Sequence, residues 1–137
     1  MDISSEMQDK LVQAATQARK WAYVPYSHYA VGAALLTQSG RIYDGVNVEN
    51  AAFPQTICAE RCAVVKAVSE GEKHFKAIAV VTENAGTPCG GCRQVLAEFG
   101  IDTIVILADI SGEIKMTCTV ADLIPYSFGP ESLPMDQ

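Results

Sequence analysis

The chain has 137 residues, of which 49% are hydrophobic and 19% charged, a composition that excludes an intrinsically disordered protein. Its length is typical of one domain, so we expect residues 1–137 to form a single domain. The net charge of −6 disfavours nucleic-acid partners and favours a small uncharged ligand. No apolar run approaches the ~18 residues of a membrane span, which disfavours a membrane partner.

The first part of the chain predicts a helix followed by a β-hairpin. Apolar residues recur at three- and four-residue steps over residues 4–22, which is typical of an amphipathic helix with Ser4 or Ser5 as its N-cap. The predicted hairpin consists of strands at residues 31–37 and 41–48, joined by Ser39-Gly40.

The rest of the chain alternates helices with strands. Residues 59–70 predict a helix that is apolar over much of its circumference, and residues 103–110 predict a strand that is covered on both faces. The other predicted elements are a strand at 77–81, a helix at 90–99, a weaker strand at 114–118, a short helix at 120–124 and an irregular tail from residue 126. This alternation predicts an α/β fold, a three-layer α/β/α sandwich around one mixed sheet of about five strands.

The cysteines indicate metal or redox chemistry. Their number is odd, and the first six residues carry neither a basic stretch nor an apolar one, so we expect no signal peptide and a cytoplasmic protein with reduced thiols. The five are Cys58, Cys62, Cys89, Cys92 and Cys118. Clustered thiols in a reducing compartment are typical of metal or redox sites.

Two short stretches at predicted helix starts carry the chemistry. They are Cys58-Ala59-Glu60 and Pro88-Cys89-Gly90-Gly91-Cys92. Cys89 and Cys92 lie on one helical turn and can face the same ion, and Cys58 from the other helix can add a third ligand. Helix N-termini stabilise thiolates. Three protein ligands with an open position are the arrangement of a catalytic zinc, whose fourth ligand is water. Cys62 is a candidate fourth ligand, but we expect it to pack as a small buried residue.

Charged residues beside the first cysteine extend this hypothesis. Glu60 lies two residues from Cys58 and could move protons as a general acid and base, although alone it would be read as a solvated helix-start carboxylate. Arg61 could donate hydrogen bonds to the thiolates, and Arg93 is a weaker candidate for the same role.

Together these residues resemble the cytidine deaminase family, specifically its small homotetrameric, zinc-dependent type that acts on free nucleosides. The resemblance covers nearly the whole chain. It is carried by the stretches at residues 25–28, 31–35, 45–51, 58–61, 88–95 and 123–125. Cys58 stands where many relatives carry His, so this chain has the three-cysteine variant of the site.

The resemblance implies roles at the metal. Cys58, Cys89 and Cys92 would bind Zn²⁺, Glu60 would be the catalytic proton shuttle, and Arg61 would hydrogen-bond to the thiolates.

It also implies roles at the substrate. Asn47 and Glu49 match the pair that binds the ribose 3′-hydroxyl, and two alternate residues of one strand face the same side. Tyr29 falls where the family usually has a Phe against the pyrimidine, so its hydroxyl must find a partner. The backbone N–H of Ala59, at a helix start, could bind the C2 carbonyl of the base.

The resemblance further implies a homotetramer with sites shared between subunits. Phe128 matches a C-terminal aromatic residue that reaches into a neighbouring subunit's site, and Tyr26 and Phe53 match residues near subunit contacts.

The function predicted from the sequence is hydrolytic deamination of cytidine and deoxycytidine to uridine and deoxyuridine, with release of ammonia, as in pyrimidine salvage. The enzyme would be a hydrolase acting on a cyclic amidine C–N bond. Alternatives are deamination of a cytosine antibiotic of the blasticidin type, a non-catalytic zinc or iron–sulfur module, and a thiol–disulfide oxidoreductase using Cys89 and Cys92. Polynucleotide editing fits the acidic charge least.

Overall fold

One mixed five-stranded sheet organises the computed structural model, which describes residues 3–134. The strands are β1 (Gly32–Thr37), β2 (Ile42–Val46), β3 (Phe75–Val81), β4 (Ile104–Ala108) and β5 (Ile114–Thr119). They lie in the order β2-β1-β3-β4-β5, in which β3 and β4 are parallel and all other neighbours antiparallel. Met1, Asp2 and the end of the predicted irregular tail, residues 135–137, lie outside the described part.

Within the described residues, four α-helices accompany the sheet. They are α1 (Ser5–Arg19), α2 (Ala59–Ser69), α3 (Gly90–Glu98) and α4 (Val120–Leu123). Of the two candidate N-caps of the first helix, Ser4 takes this position, and its hydroxyl accepts a hydrogen bond from the Met7 N–H at 3.0 Å. Within residues 3–134 no helix is both long and apolar enough to cross a membrane.

Helices cover both faces of the sheet. On one face, α1 buries Leu11 and Ala15 against inward-facing residues of β1, β3 and β4. On the other face, α2, α3 and α4 form a second core with the alternate residues of the same strands, including Ile78 and Leu107. Because β3 and β4 are buried on both faces, they are almost wholly apolar. The predicted three-layer α/β/α fold is confirmed.

Several element ends differ from the prediction because side chains and loops intervene. The first helix ends at Arg19, whose guanidinium turns to the Ala30 carbonyl at 2.9 Å, three residues before the predicted end. The second strand ends at Val46, since Val48 leaves the sheet and pairs with Tyr23 and Ile57 instead. The fourth strand ends at Ala108, before a turn stabilised by the side chain of Asp109. Short 3₁₀ turns at Phe53–Gln55 and Pro130–Ser132 were not predicted.

Gly32 allows α1 to lie directly on β1. A Cβ at this position would lie 2.0 Å from the Ala15 carbonyl oxygen, a backbone atom that no rotamer change can move. We expect Gly32→Ala to lower the free energy of unfolding by about 3 kcal/mol, as overpacking against a fixed backbone does. Urea denaturation followed by circular dichroism measures this. Gly90→Ala is the matched control, because nothing lies within 4 Å of its added Cβ, and its unfolding should barely change.

Candidate active site

Three thiols meet where α2 and α3 begin. Cys58 is the N-cap of α2, Cys89 is the N-cap of α3, and Cys92 is the third residue of α3. Their Sγ atoms lie within 4.8 Å of one another, and Cys58 Sγ is 4.0 Å from Cys89 Sγ. Neither N-cap thiol makes a side-chain capping bond to its helix, so both sulfurs are available to a ligand.

The spacing and the chemistry of this thiol cluster fit a zinc ion. Tetrahedral bonds of about 2.3 Å separate sulfur atoms by about 3.8 Å, close to the distance between Cys58 and Cys89. Thiolates suit zinc, and among residues 3–134 the cluster holds three cysteines and no fourth ligand. Cys62 instead lies beside Gly45, where a Cβ built on the glycine would be 3.0 Å from the Cys62 Cβ. The site therefore leaves one coordination position open.

Arg61 lies beside the cluster. Its Nε is buried and has no hydrogen-bond partner within the described residues. A Cβ on Gly91 would lie 2.2 Å from Arg61 Nη2, so the second glycine of Cys-Gly-Gly-Cys makes room for the guanidinium. Contact with Cys92 raises the pKa of Arg61. Arg93 does not take the predicted role at the thiols. It donates to the carbonyls of Pro88 and Leu123, and so joins α3 to the residue before Cys89 and to α4.

The pKa values of the Cys58 and Cys92 thiols shift in opposite directions. A hydrogen bond from Cys92 lowers the pKa of Cys58 to about 6, with help from Cys89 and Arg61 and against the effect of burial. The same hydrogen bond and burial raise the pKa of Cys92. Without metal, the Cys58 thiolate therefore forms before that of Cys92, and the neighbouring thiols donate to it.

We expect iodoacetamide to alkylate Cys58 before Cys92 and Cys118 in the metal-free protein. Because the pKa of Cys58 is about 6, the thiolate is protonated below that pH and its alkylation rate should rise to half of its plateau near pH 6. Peptide mass spectrometry over pH 4.5–9 measures the rate for each cysteine. Cys118, whose pKa is raised by burial, is the internal control and should react only at alkaline pH. A Cys58 profile that coincides with that of Cys118 would contradict the assignment.

Glu60 is buried at the second residue of α2. Its side chain is only 5% exposed, and this burial, reinforced by the charge of Cys58, raises the pKa of its carboxyl. The cluster and Glu60 line the same cavity. A buried carboxyl with a raised pKa next to a metal-ligand set is suited to accept and return a proton near neutral pH.

The cavity has a volume of ≈ 310 Å³, within the range of small-molecule sites. Its lining includes eight residues singled out from the sequence: Tyr29, Asn47, Glu49, Cys58, Ala59, Glu60, Cys89 and Cys92. The other predicted residues lie outside it. Tyr26 and Phe53 form an adjacent hollow, with their rings 5.7 Å apart, and Phe128 is an exposed residue whose carbonyl accepts a bond from Gln94.

Asn47 and Glu49 face the cavity from the segment that follows β2. Asn47 Nδ2 donates to the Tyr29 carbonyl at 2.8 Å, and its Oδ1 accepts from the Val31 N–H at 3.0 Å. Glu49 accepts bonds from the N–H groups of Tyr26 and Ser27 and from the Ser27 hydroxyl, which lowers the pKa of its carboxyl. The amide keeps a free N–H and the ionised carboxylate a free lone pair, so together they can bind one hydroxyl group.

Sequence reasoning missed the other half of the cavity wall. The missed lining residues are Ser27, Val31, Thr56, Val80, Thr82, Gly86, Thr87 and Pro88. Five of these come from the end of β3 and the loop that leads into α3. The signal that could have found them is the position of this loop, since ligands bind beyond the carboxyl ends of parallel strands.

Comparison with known proteins identifies relatives over most of the chain. The family model described as the cytidine and deoxycytidylate deaminase zinc-binding region matches residues 5–108. A cytidine deaminase of Sporosarcina psychrophila is 51% identical over 128 residues, which cover 91% of this chain and 93% of the relative. The crystal structure of cytidine deaminase from Burkholderia pseudomallei has a TM-score of 0.83 at 44% identity and covers 87% of this chain and 97% of its own.

A more distant relative carries a different name. A blasticidin-S deaminase of Bacillus cereus is 31% identical over 134 residues, which cover 90% of this chain and 94% of the relative.

Proposed function

The chain belongs to the cytidine and deoxycytidylate deaminase family, and we infer that it hydrolyses the C4 amino group of cytidine and deoxycytidine, giving uridine or deoxyuridine and ammonia. It is accordingly a zinc-dependent deaminase of the hydrolase class. The observation that carries this conclusion is one small cavity in which a three-thiol cluster, the buried carboxyl of Glu60 and an amide–carboxylate pair converge.

Metal and carboxyl have complementary tasks in this proposal. Cys58, Cys89 and Cys92 would hold the zinc ion, which when bound would lower the pKa of water towards neutrality and make it a better nucleophile. Glu60 would accept one proton of the attacking water, and burial, which raises the pKa of its carboxyl, helps it to hold that proton. It would deliver this proton to N3 of the base, then take the second proton of the same water and deliver it to the amino group, which leaves as ammonia.

The remaining residues orient the substrate. The free N–H of Asn47 and the free lone pair of Glu49 would bind the 3′-hydroxyl of the sugar, which both cytidine and deoxycytidine carry. The N–H of Ala59, the first residue of α2, would donate to the C2 carbonyl at a helix N-terminus. A nucleoside bound at both points would have C4 beside Glu60 and the thiol cluster, which line the same cavity.

Ammonia release from cytidine and deoxycytidine by the zinc-loaded protein tests this function. We expect turnover of both nucleosides and much slower turnover of 3′-deoxycytidine, which lacks the hydroxyl that Asn47 and Glu49 would bind. Blasticidin S is the comparison substrate, because a blasticidin-S deaminase is also a relative. A zinc-loaded protein that released ammonia only from blasticidin S would overturn the nucleoside assignment.

We also propose a homotetramer with shared active sites. Tyr26, Phe53 and Phe128 are exposed apolar residues, and Phe53 is 68% exposed. The hollow that Tyr26 and Phe53 form shares Ser27, Glu49 and Thr56 with the cavity, so the cavity is open towards these aromatic rings. A second copy placed there would bury them and close the site.

Mixing two impaired variants tests the sharing of sites. Glu60→Gln removes the proposed acid–base group of a subunit's own site, and Phe128→Ala removes the aromatic side chain that would enter a neighbour's site. If sites are shared, subunit exchange between the two should create intact sites and restore activity above that of either variant. Equal activity before and after exchange, with tetramers confirmed by sedimentation, would show that each subunit acts alone.

The same reasoning extends to the cellular setting. We propose a cytoplasmic enzyme of pyrimidine salvage, because its metal site needs three reduced thiols and its substrates are free nucleosides.

A single domain over residues 1–137 is supported by two cores that share one sheet.

A further inference from the structure

We propose that a hydrogen bond between Tyr29 and Asn84 latches the cavity wall and makes Tyr29 a specificity-determining residue that disfavours pyrimidines with a substituent at C5. This inference rests on the proposed deamination of cytidine. Tyr29 Oη donates to Asn84 Oδ1 at 2.7 Å, between residues that are 55 positions apart in the chain. We call this bond the Tyr29–Asn84 latch.

The loop side of the latch is fixed. Thr82 is buried and donates from its hydroxyl to Asn84 Oδ1 at 3.3 Å, while its hydroxyl oxygen accepts from the Gly86 N–H at 2.7 Å. The acceptor of the latch is therefore tied to the end of β3. The same loop continues to Cys89, so the latch holds the wall next to the thiol cluster.

The main chain of Tyr29 is fixed at the opposite end of the cavity. Its N–H donates to the Ser27 hydroxyl at 3.0 Å, and its carbonyl accepts from Asn47 Nδ2 at 2.8 Å. The side chain then extends from the Asn47–Glu49 end to the loop that leads to Cys89. A base bound between these ends lies alongside the tyrosine ring, so the position of the ring sets the width available to the base.

Both segments joined by the latch have unfavourable backbone conformations next to it. His28, the neighbour of Tyr29, has φ 59°, and Ala85, the neighbour of Asn84, has φ 55°. Residues other than glycine rarely adopt this left-handed conformation, and it persists only where surrounding contacts hold it. The latch is one such contact, and its loss frees both segments to relax.

The latch also explains the glycine at position 86. A Cβ there would lie 2.9 Å from Tyr29 Oη, too close for the hydroxyl to keep its place. The tyrosine is 38% exposed, so its outer side has room to move away from the cavity. Without the latch the ring can swing outward, and the cavity gains width beside the base.

Three substitutions remove the latch in different ways. Tyr29→Phe removes the donor, Asn84→Ala removes the acceptor, and Gly86→Ala displaces the hydroxyl. Each purified variant would be assayed with cytidine and with 5-methylcytidine, and its zinc content measured. We expect the ratio of kcat/KM for 5-methylcytidine to kcat/KM for cytidine to rise about tenfold in each, as expected when a pocket stops rejecting one methyl group.

The kinetic constants for cytidine separate positioning from catalysis. KM should rise roughly threefold to tenfold, the effect of one hydrogen bond, while kcat and zinc content stay nearly unchanged. The Tyr29→Phe/Asn84→Ala double variant should show no larger change in KM or in the substrate ratio than the single variants, because each substitution removes the same hydrogen bond. Tyr43→Phe is the matched control, since it removes a tyrosine hydroxyl bond to Glu70 outside the cavity and should leave the substrate ratio as in the wild type.

The possible failures are distinguishable. If the zinc-loaded wild-type protein is inactive on cytidine, both the proposed function and this inference are refuted. If the wild type deaminates cytidine but all three variants keep its substrate ratio, only the latch is refuted. An equal change of the ratio in Tyr43→Phe would attribute the effect to general loosening and would also refute it.

Discussion

Glu60→Gln is expected to lower kcat for cytidine by about 10⁴-fold, the upper range for loss of a general acid–base group. Glutamine keeps the size of the side chain but cannot accept the proton of water or return it to the leaving amino group. Because Glu60 is buried beside the thiol cluster without belonging to it, zinc content and thermal stability should stay close to those of the wild type. KM should change little, since the substrate would still be bound by the rest of the cavity.

Single-turnover assays with metal analysis on the same sample measure this effect. The matched control is Glu70→Gln, a carboxylate near the other end of the same helix that binds the Tyr43 hydroxyl far from the cavity. It should keep wild-type kcat. A Glu60→Gln protein with one zinc per chain and more than a tenth of the wild-type kcat would remove Glu60 from the mechanism.

Cys89→Ala is expected to abolish activity by a different route, through loss of metal. With one of three thiolates gone, only Cys58 and Cys92 remain, and two ligands hold zinc far more weakly than three. Zinc content after dialysis should fall from one ion per chain to near zero, and added zinc should restore little activity. Atomic absorption measures the content directly.

The other cysteines provide the controls for this experiment. Cys118→Ala and Cys62→Ala each remove a thiol that lies outside the cluster, so both should retain one zinc per chain. If Cys62→Ala also lost its zinc, Cys62 would be a ligand after all and the three-thiol site would be wrong.

Local patterns were enough to predict the architecture. Buried strands such as β4 are apolar on both faces, and the N-terminal helix repeats its apolar residues at helical spacing, so each is recognisable from its own stretch of sequence. The ends of elements depend on contacts with distant residues. The pairing of Val48 with Tyr23 and Ile57 is an example, since no short segment contains that information.

In the candidate site, too, residues close together in the sequence were predicted and contacts between distant residues were not. Cys89 and Cys92 are one turn apart, and Cys58 and Glu60 share a helix start, so sequence spacing already indicated the metal-binding half. The wall formed by Thr82 and Gly86 was not predicted from short motifs, because its contact with Tyr29 joins loops that are 55 residues apart in the chain. The resemblance to a family supplied the roles of Asn47 and Glu49, which spacing alone would have left as a strand-edge polar pair.

Two helices of this protein begin at cysteines that make no capping bond of their own. The thiols of these two helix starts belong to one cluster, so a bound zinc ion would link α2 to α3 and stabilise the folded chain. Whatever binds only the folded state shifts the folding equilibrium towards it, by an amount that grows with the free ligand concentration. The supply of zinc in the cell thus sets more than the active fraction of the enzyme. A chain synthesised under zinc starvation would spend more time open to proteases, so its abundance would fall together with its activity.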